Sequence, residues 1–393
     1  MASDDIMKVA FVTSFPQDPG RPAGGVEAVS INLARALAKA DDLDVHIITT
    51  DHDCAATSQT AWESTTVHRL PWAGHTVLSH ATGPGRRAVS AYIADLAPDV
   101  IHAHDIYGLM VQGMPIPRVF TIHGFIHADT RISGERLARL RAWIWKRIET
   151  AGWADQPHIV SISPYVRERL TGIATGRIHD IDNPIAEAFF DLPNRDGKGI
   201  IFSAALICPR KNPLTLVEAL AKLQQQGVDA ELRLAGTISE PAYGKRLQKR
   251  IGELGLQNNV TLLGSISAEQ VRDELINASA FALVSYEEGS PMGIEEAMAA
   301  GVPVVTSDRC GMPYLVSDGA TGFLVDPNDV DDVAWRLGQL LTDSGLRSDM
   351  GRESRQVALR RFHPQAVARR TQEVYERAIR DHTQGNGHAK PRR

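Results

Sequence analysis

Residues 285–305 read Ser-Tyr-Glu-Glu-Gly-Ser-Pro-Met-Gly-Ile-Glu-Glu-Ala-Met-Ala-Ala-Gly-Val-Pro-Val-Val. The stretch is entered from Ala280-Phe-Ala-Leu-Val-Ser285, a continuous apolar run that suits a parallel strand covered on both faces. Ser290 reads as a helix N-cap and Pro291 as the first helical residue. Gly301 reads as the stop, and Val302-Pro-Val-Val-Thr306 as the next buried strand. Strand, loop, helix and strand in so short a span make a unit of a doubly wound parallel sheet.

The same alternation extends outward. Gly199-Ile-Ile-Phe-Ser203, Ala230-Glu-Leu-Arg-Leu-Ala235 and Val260-Thr-Leu-Leu263 read as strands, and Pro213 to Gln226 as a helix. Nearer the start, Lys8-Val-Ala-Phe-Val-Thr-Ser14 reads as a strand, Phe15 to Gly25 as a Pro/Gly-rich loop and Val26 to Ala40 as a helix. Val45 to Thr49, Asp99 to His104, Arg118 to Ile122 and His158 to Ile162 are further strand-like runs. Between them lies a turn-rich stretch, Asp182 to Gly199, with Asn-Pro, Leu-Pro-Asn and Asp-Gly-Lys-Gly. The chain is therefore read as α/β, with a first domain at 1–190 and a second at 191–363. A terminal helix at 364–381 is expected to pack back on the first domain, followed by a polar, disordered tail at 382–393. Two such sheets facing each other would leave a deep cleft between the carboxyl ends of their strands.

Composition narrows the function. The 393 residues carry 42 Lys and Arg against 47 Asp and Glu, a net charge of −5, which gives no electrostatic footprint for nucleic acid. Cys54, Cys208 and Cys310 are too scattered for a disulfide framework or a C-x-x-C pair, which fits a reducing, cytoplasmic setting. No apolar run is long enough to suggest a membrane span, and the start lacks the pattern of a secretion signal.

A helix N-terminus at the mouth of a buried strand carries free N–H groups and partial positive charge, so the start of the 290–300 helix is a ready anion site. Glu288 lies in the loop before it and Glu296 more than a turn inside it. Glu287 and Glu295 share the same spacing. Two isolated glutamates would ordinarily be solvated charges flanking a helix start. Here they precede Ala-Met-Ala-Ala-Gly-Val-Pro-Val-Val, and Asp318-Gly-Ala-Thr-Gly-Phe-Leu-Val325, Gly24-Gly25-Val26-Glu27 and Pro209-Arg-Lys-Asn-Pro213 accompany them. Together these resemble the donor-site signature of family-4 retaining glycosyltransferases of the GT-B fold, over essentially Met7 to Asp381. Glu288 precedes Gly289 and Glu296 precedes Ala-Met-Ala, as in that family, which selects this pair over Glu287 and Glu295.

The resemblance implies a GT-B architecture and transfer of a sugar from a nucleotide diphosphate sugar to an acceptor hydroxyl, in glycan, polysaccharide or glycoconjugate biosynthesis. It implies retention of configuration and no metal or other cofactor. Glu296 would bind ribose hydroxyls, and Glu288 would contact the donor sugar near its reacting end. Lys211 with Arg210 would neutralise the diphosphate, while Gly24 and Gly25 would let backbone amides approach it. Ser290, Met292 and Gly293 would line the donor site. His123, at the end of Thr121-Ile-His-Gly124, would point into the cleft and hold the donor sugar. Cations and amides aimed at a leaving diphosphate stabilise the transition state more than the ground state.

Departures from the family pattern qualify these roles. Ala205 stands where an Arg is frequent, so the clamp would lean on Arg210. Ser290-Pro291 replaces a frequent Phe-Gly, and Tyr314 a common acidic residue. His102, His104 and Asp105 end another strand; acceptor contact is one reading, and a zinc site lacks a third ligand. A nicotinamide site is a poor fit, because the G-x-G-x-x-G pattern is missing. A nucleotide-sugar epimerase, a sugar phosphorylase or a non-catalytic nucleotide-sugar-binding subunit remain alternatives.

One further helix, Glu135 to Glu149, places Leu137, Leu140, Ile144 and Ile148 on one face. Arg136, Arg139, Arg141, Lys146 and Arg147 surround that stripe, with Trp143 and Trp145 beside it. Either the stripe packs on the first sheet, or the helix docks on an anionic membrane surface, placing the protein peripherally at the inner membrane beside a lipid-linked acceptor.

Overall fold

The computed structural model describes residues 6–132, 137–193 and 199–387. The chain divides into two compact units. The first begins with β1 (Met7–Val12), α1 (Gly25–Leu37), β2 (Leu43–Asp51), β3 (Ser58–Trp62), β4 (Thr65–Pro71), α2 (Val77–Thr82) and α3 (Pro84–Leu96). It continues with β5 (Val100–His104), α4 (Ile106–Met110), β6 (Arg118–Ile122), α5 (Ile126–Ile132), α6 (Ala138–Ala154), β7 (His158–Ser161), α7 (Pro164–Leu170) and β8 (Arg177–Asp180).

Its strands form one sheet in the order β3-β4-β2-β1-β5-β6-β7-β8, parallel except for the antiparallel edge strand β3. Val9, Ala10, Phe11 and Val12 of β1 are wholly buried, because helices cover both faces of a doubly wound sheet. The order reverses between β1 and β5, and ligands of such sheets bind at that point, outside the carboxyl ends.

The second unit holds β9 (Ile200–Ala204), α8 (Pro213–Gln225), β10 (Glu231–Ala235), α9 (Pro241–Glu253), β11 (Val260–Gly264), α10 (Ala268–Asn277) and β12 (Ala280–Leu283). It ends with α11 (Met292–Ala300), β13 (Val304–Ser307), β14 (Gly322–Val325), α12 (Val330–Thr342) and α13 (Ser344–Arg361). Its sheet is wholly parallel, in the order β11-β10-β9-β12-β13-β14, and reverses between β9 and β12.

The division falls between Pro184 and Ile185, ahead of residue 190. Ile185, Phe189 and Phe190 are buried in the second unit's core with Phe281, Ile294 and Phe362, so these apolar side chains fix the boundary that turn residues only suggest. The chain then returns to the first unit as α14 (Pro364–Gly387). Val367, Val374 and Tyr375 of α14 pack in the same cluster as Val9, Phe11 and Leu33. This helix runs to Gly387, past the expected end at Asp381. Beyond Asp381 the Thr383 hydroxyl donates to Ile379 O at 2.9 Å, one turn back along the helix. The remainder of the expected tail, 388–393, lies outside the described residues.

Candidate active site

In the second unit the chemistry gathers at the reversal between β9 and β12. Beyond β9 the chain makes a 3-10 turn, Pro209–Lys211. Asn212 ends the turn with φ at 54°, a left-handed conformation that Asn tolerates better than most residues. Its Nδ2 donates to Pro327 O at 2.9 Å, which anchors the turn.

Beyond β12, Glu288 is 8% exposed and pairs with the Lys211 ammonium through Oε1. Arg210 Nη1 lies 3.4 Å from the same oxygen and donates to Glu287 O at 2.7 Å. The backbone joins the two loops as well, Tyr286 N donating to Arg210 O at 2.8 Å. Gly311 N donates to Glu288 O at 2.9 Å, and a Cβ on Gly311 would stand 1.8 Å from Gly289 O, so only glycine permits this closure.

The next helix differs from expectation at its start. Pro291 has an extended ψ of 116° and takes the N-cap position, so α11 begins at Met292 and Ser290 stands one residue before the cap. The Ser290 hydroxyl donates instead to Glu295 Oε1, and Glu295 is wholly buried. Glu296, on the following position, is half-buried and, among the described residues, has no hydrogen-bond or ion-pair partner. Desolvation alone pushes its carboxyl up to about 8. The two neighbouring glutamates thus divide, Glu295 tied to Ser290 inside the protein and Glu296 left with unmet accepting capacity. Met292 packs at the margin of the core, and a Cβ on Gly293 would stand 3.0 Å from Ala204 O, so Gly293 allows α11 to approach β9.

Gly24, Gly25 and His123 belong to the first unit. Gly24 is the N-cap of α1, and a side chain there would meet no atom within 4 Å, so nothing in the protein itself demands its absence. Glu27 steadies this loop, accepting from Ser14 Oγ at 3.2 Å and from Ala23 N at 2.6 Å.

His123 follows β6, its backbone N–H donating to Asp105 Oδ1 at 2.8 Å. Its Nε2 lies 3.1 Å from His104 Nδ1. His102 and His104 are both 1% exposed. This corrects the acceptor-contact reading for His102, whose nitrogens are spent on Tyr375 Oη and Thr121 Oγ1, each at 2.7 Å. Burial holds all three imidazoles below the usual histidine value, His102 at about 3, so they are neutral near pH 7. Asp105, which the sequence already places with the two histidines at this strand end, stands at φ 44° and accepts from His123 N, joining the ends of β5 and β6. Among the described residues no group of three His, Cys, Asp or Glu side chains is arranged to hold a metal ion.

Helix α6 also departs from its expected face. Ala142, Trp145, Glu149, Gly152 and Trp153 are buried, whereas Leu137 is 71% exposed, Leu140 52% and Trp143 53%. Glu149 sets this rotation, because its carboxylate accepts from Ile126 N at 2.8 Å and His127 N at 2.9 Å at the start of α5. Glu135 and Arg136 lie outside the described residues. No helix is long and apolar enough to cross a membrane among the described residues.

The Glycosyltransferase Family 4 model matches residues 23–189, and the model for Glycosyl transferases group 1 matches residues 184–357. An MMP alpha-(1->4)-mannosyltransferase of Mycolicibacterium hassiacum is 31% identical over 72% of this chain and 71% of its own length. The chain belongs to the family-4 glycosyltransferases. Its fold is GT-B. Sucrose-phosphate synthase from Thermosynechococcus elongatus matches with a TM-score of 0.77 at 22% identity, over 95% of this chain and 100% of that one. HepE of Anabaena, solved in complex with UDP and glucose, matches with a TM-score of 0.72 at 19% identity, over 94% and 100%. This family-4 glycosyltransferase therefore carries the group 1 part in its second unit, where Arg210, Lys211, Glu288 and Glu296 stand.

Proposed function

We propose that this glycosyltransferase takes its sugar from a nucleotide diphosphate sugar and transfers it to an acceptor hydroxyl with retention of configuration. The observation that carries the reading is the meeting of Lys211, Arg210 and Glu288 at the reversal point of the second sheet, beside the start of α11. Two cations on a rigid turn next to a helix N-terminus suit a diphosphate. Glu296, with its unmet accepting capacity, suits the two hydroxyls of a ribose. HepE, named above with UDP, supports a nucleotide donor for the shared fold.

In this reading the bond between the anomeric carbon and the diphosphate oxygen breaks, and charge builds on the diphosphate. Lys211, Arg210 and the first amides of α11 stabilise that charge, so no metal ion is required. The acceptor oxygen bonds the anomeric carbon on the face the diphosphate leaves, and the departing phosphate takes the acceptor proton. Glu288 turns from the cations to the donor sugar once the diphosphate replaces it as their counterion. In this reading His123, Gly24 and Gly25 also contact the donor, and Ser290, Met292 and Gly293 shape the start of α11.

The acceptor we assign is a glycan or lipid-linked sugar, met by the protein as a peripheral partner of the inner membrane surface. Support comes from α6, where Leu137, Leu140 and Trp143 are exposed among Arg139, Arg141, Lys146 and Arg147. The Arg147 guanidinium lies 4.4 Å over the Trp143 ring, a basic aromatic patch of the kind that enters an anionic interface. Incubation with a panel of nucleotide diphosphate sugars tests the donor: one member should raise the melting temperature and undergo slow hydrolysis. A protein stabilised by none would contradict the reading.

A further inference from the structure

The turn that carries Arg210 and Lys211 has a second side. Pro209 and Asn212, the residues bracketing the two cations, line an open cavity of about 560 Å³ bounded by α8, α9 and Tyr286. That size lies within the range of small-molecule sites, roughly 300–1,000 Å³.

The cavity has a definite charge pattern. Arg246, Lys249, Arg250 and Glu253 follow one another along a single face of α9. Arg250 is paired with Glu218 at 3.2 Å and with Glu253 at 3.3 Å, and Lys249 with Glu253 at 3.3 Å. Both carboxylates are thus neutralised, and Arg246, among the described residues, has no ion-pair partner. Tyr243, one turn before Arg246, is 6% exposed at the cavity wall. Its phenol, pushed up to about 12 by burial, stays a hydroxyl at neutral pH. Tyr286 adds a second ring, 37% exposed, and its backbone N–H is the one bonded to Arg210 O.

We propose that this cavity is a second, non-catalytic site for a small aromatic phosphate, its anion on Arg246 with Lys249 beside it and its ring against the exposed ring of Tyr286. An occupant presses on Pro209, Asn212 and Tyr286, the rear of the turn whose front pairs with Glu288, and so shifts donor affinity. Binding stands apart from the donor reading; the shift in donor affinity rests on it.

Calorimetric titration of the full chain with phenyl phosphate tests the site. Arg246→Gln with Lys249→Gln should weaken its binding by about tenfold, ~1.4 kcal/mol. Lys211→Ala, which removes the other place where a phosphate could sit, should leave it within about twofold. No binding by the wild type, binding unaltered in the Arg246 and Lys249 variant, or binding lost in Lys211→Ala would each overturn the site. UDP affinity should change by about fivefold when phenyl phosphate saturates the wild type. An unchanged UDP affinity overturns the coupling, whereas failure of every nucleoside diphosphate to bind overturns the donor reading and leaves the cavity to the phenyl phosphate result.

Discussion

Lys211 and Glu288 form an ion pair between the two loops that flank the reversal point of the second sheet. Arg210 Nη1 stands 3.4 Å from the same carboxylate oxygen. One carboxylate is thus the counterion of two cations, in the place we assign to a diphosphate. A diphosphate must displace it before the donor is held.

Glu288→Gln keeps the size of the side chain and removes its charge. Nucleoside diphosphates should then bind several-fold more tightly, since a hydrogen bond to a charged group is worth ~1.5–3 kcal/mol and part of it no longer competes. Sugar transfer should fall at the same time, because Glu288 also serves the donor sugar. Calorimetry and initial rates check the two directions; looser binding of the diphosphate in the variant would remove Glu288 from the counterion role.

Glu296 gives a pH signature. Its carboxyl stands at about 8 in the folded protein against an ordinary value of 4.5, so the fold favours the protonated form. Its contribution to stability is full below pH 4.5 and is lost as pH rises toward 8. Two ribose hydroxyls would favour the carboxylate, so nucleotide binding near pH 7 should release a proton. Calorimetry in buffers of different ionisation enthalpy reads that release directly. Glu296→Gln should abolish it, and Glu296→Ala should weaken nucleotide binding by ~1.5–3 kcal/mol. Proton release persisting in Glu296→Gln would assign it to another group.

Much of this arrangement was legible in the residues. Strands buried on both faces, such as Val9 to Val12 and Ala280 to Leu283, announce themselves as unbroken apolar runs. The β3–β4 hairpin was missed because Ser58, Gln59 and Thr60 of β3 are exposed and polar and Ala61 is exposed too, with no buried face to pattern them. The rotation of α6 was misread because a glutamate, Glu149, occupies its buried face and its hydrogen bonds to α5 outweigh the leucine stripe. The choice between Glu295 and Glu296 rested on resemblance, since adjacent helical positions differ only in direction. The burial of Glu295 against Ser290 separates them physically.

His102 ties the terminal helix to the first sheet through Tyr375, at 2.7 Å. Tyr375→Phe leaves the buried imidazole nitrogen unsatisfied and should cost about 1–3 kcal/mol, seen as a lower melting temperature. Because the folded value of His102 is about 3 and the ordinary value 6.5, its contribution is full above pH 6.5 and falls as pH drops toward 3. His102→Gln should flatten part of the acid-side decline in melting temperature; an identical acid profile would shift that decline to other groups.

The exposed face of α6 makes membrane contact testable. The protein should cosediment with anionic liposomes at low salt and be released as salt screens the attraction. Replacing Arg139, Arg141 and Arg147 by Gln should abolish binding and leave donor hydrolysis intact. Binding unchanged in that variant, or absent from the wild type at low salt, would favour a soluble acceptor.

The central claim is that Lys211 and Arg210 hold the diphosphate of a nucleotide sugar donor. Its most direct test is the dissociation constant of a nucleoside diphosphate, chosen from a panel, for the wild type, Lys211→Ala, Arg210→Ala and the double variant. Each single change should weaken binding, and the double change should do so by about a hundredfold or more, two charge-assisted bonds of ~1.5–3 kcal/mol each. A double variant that binds the diphosphate as tightly as the wild type would contradict the account.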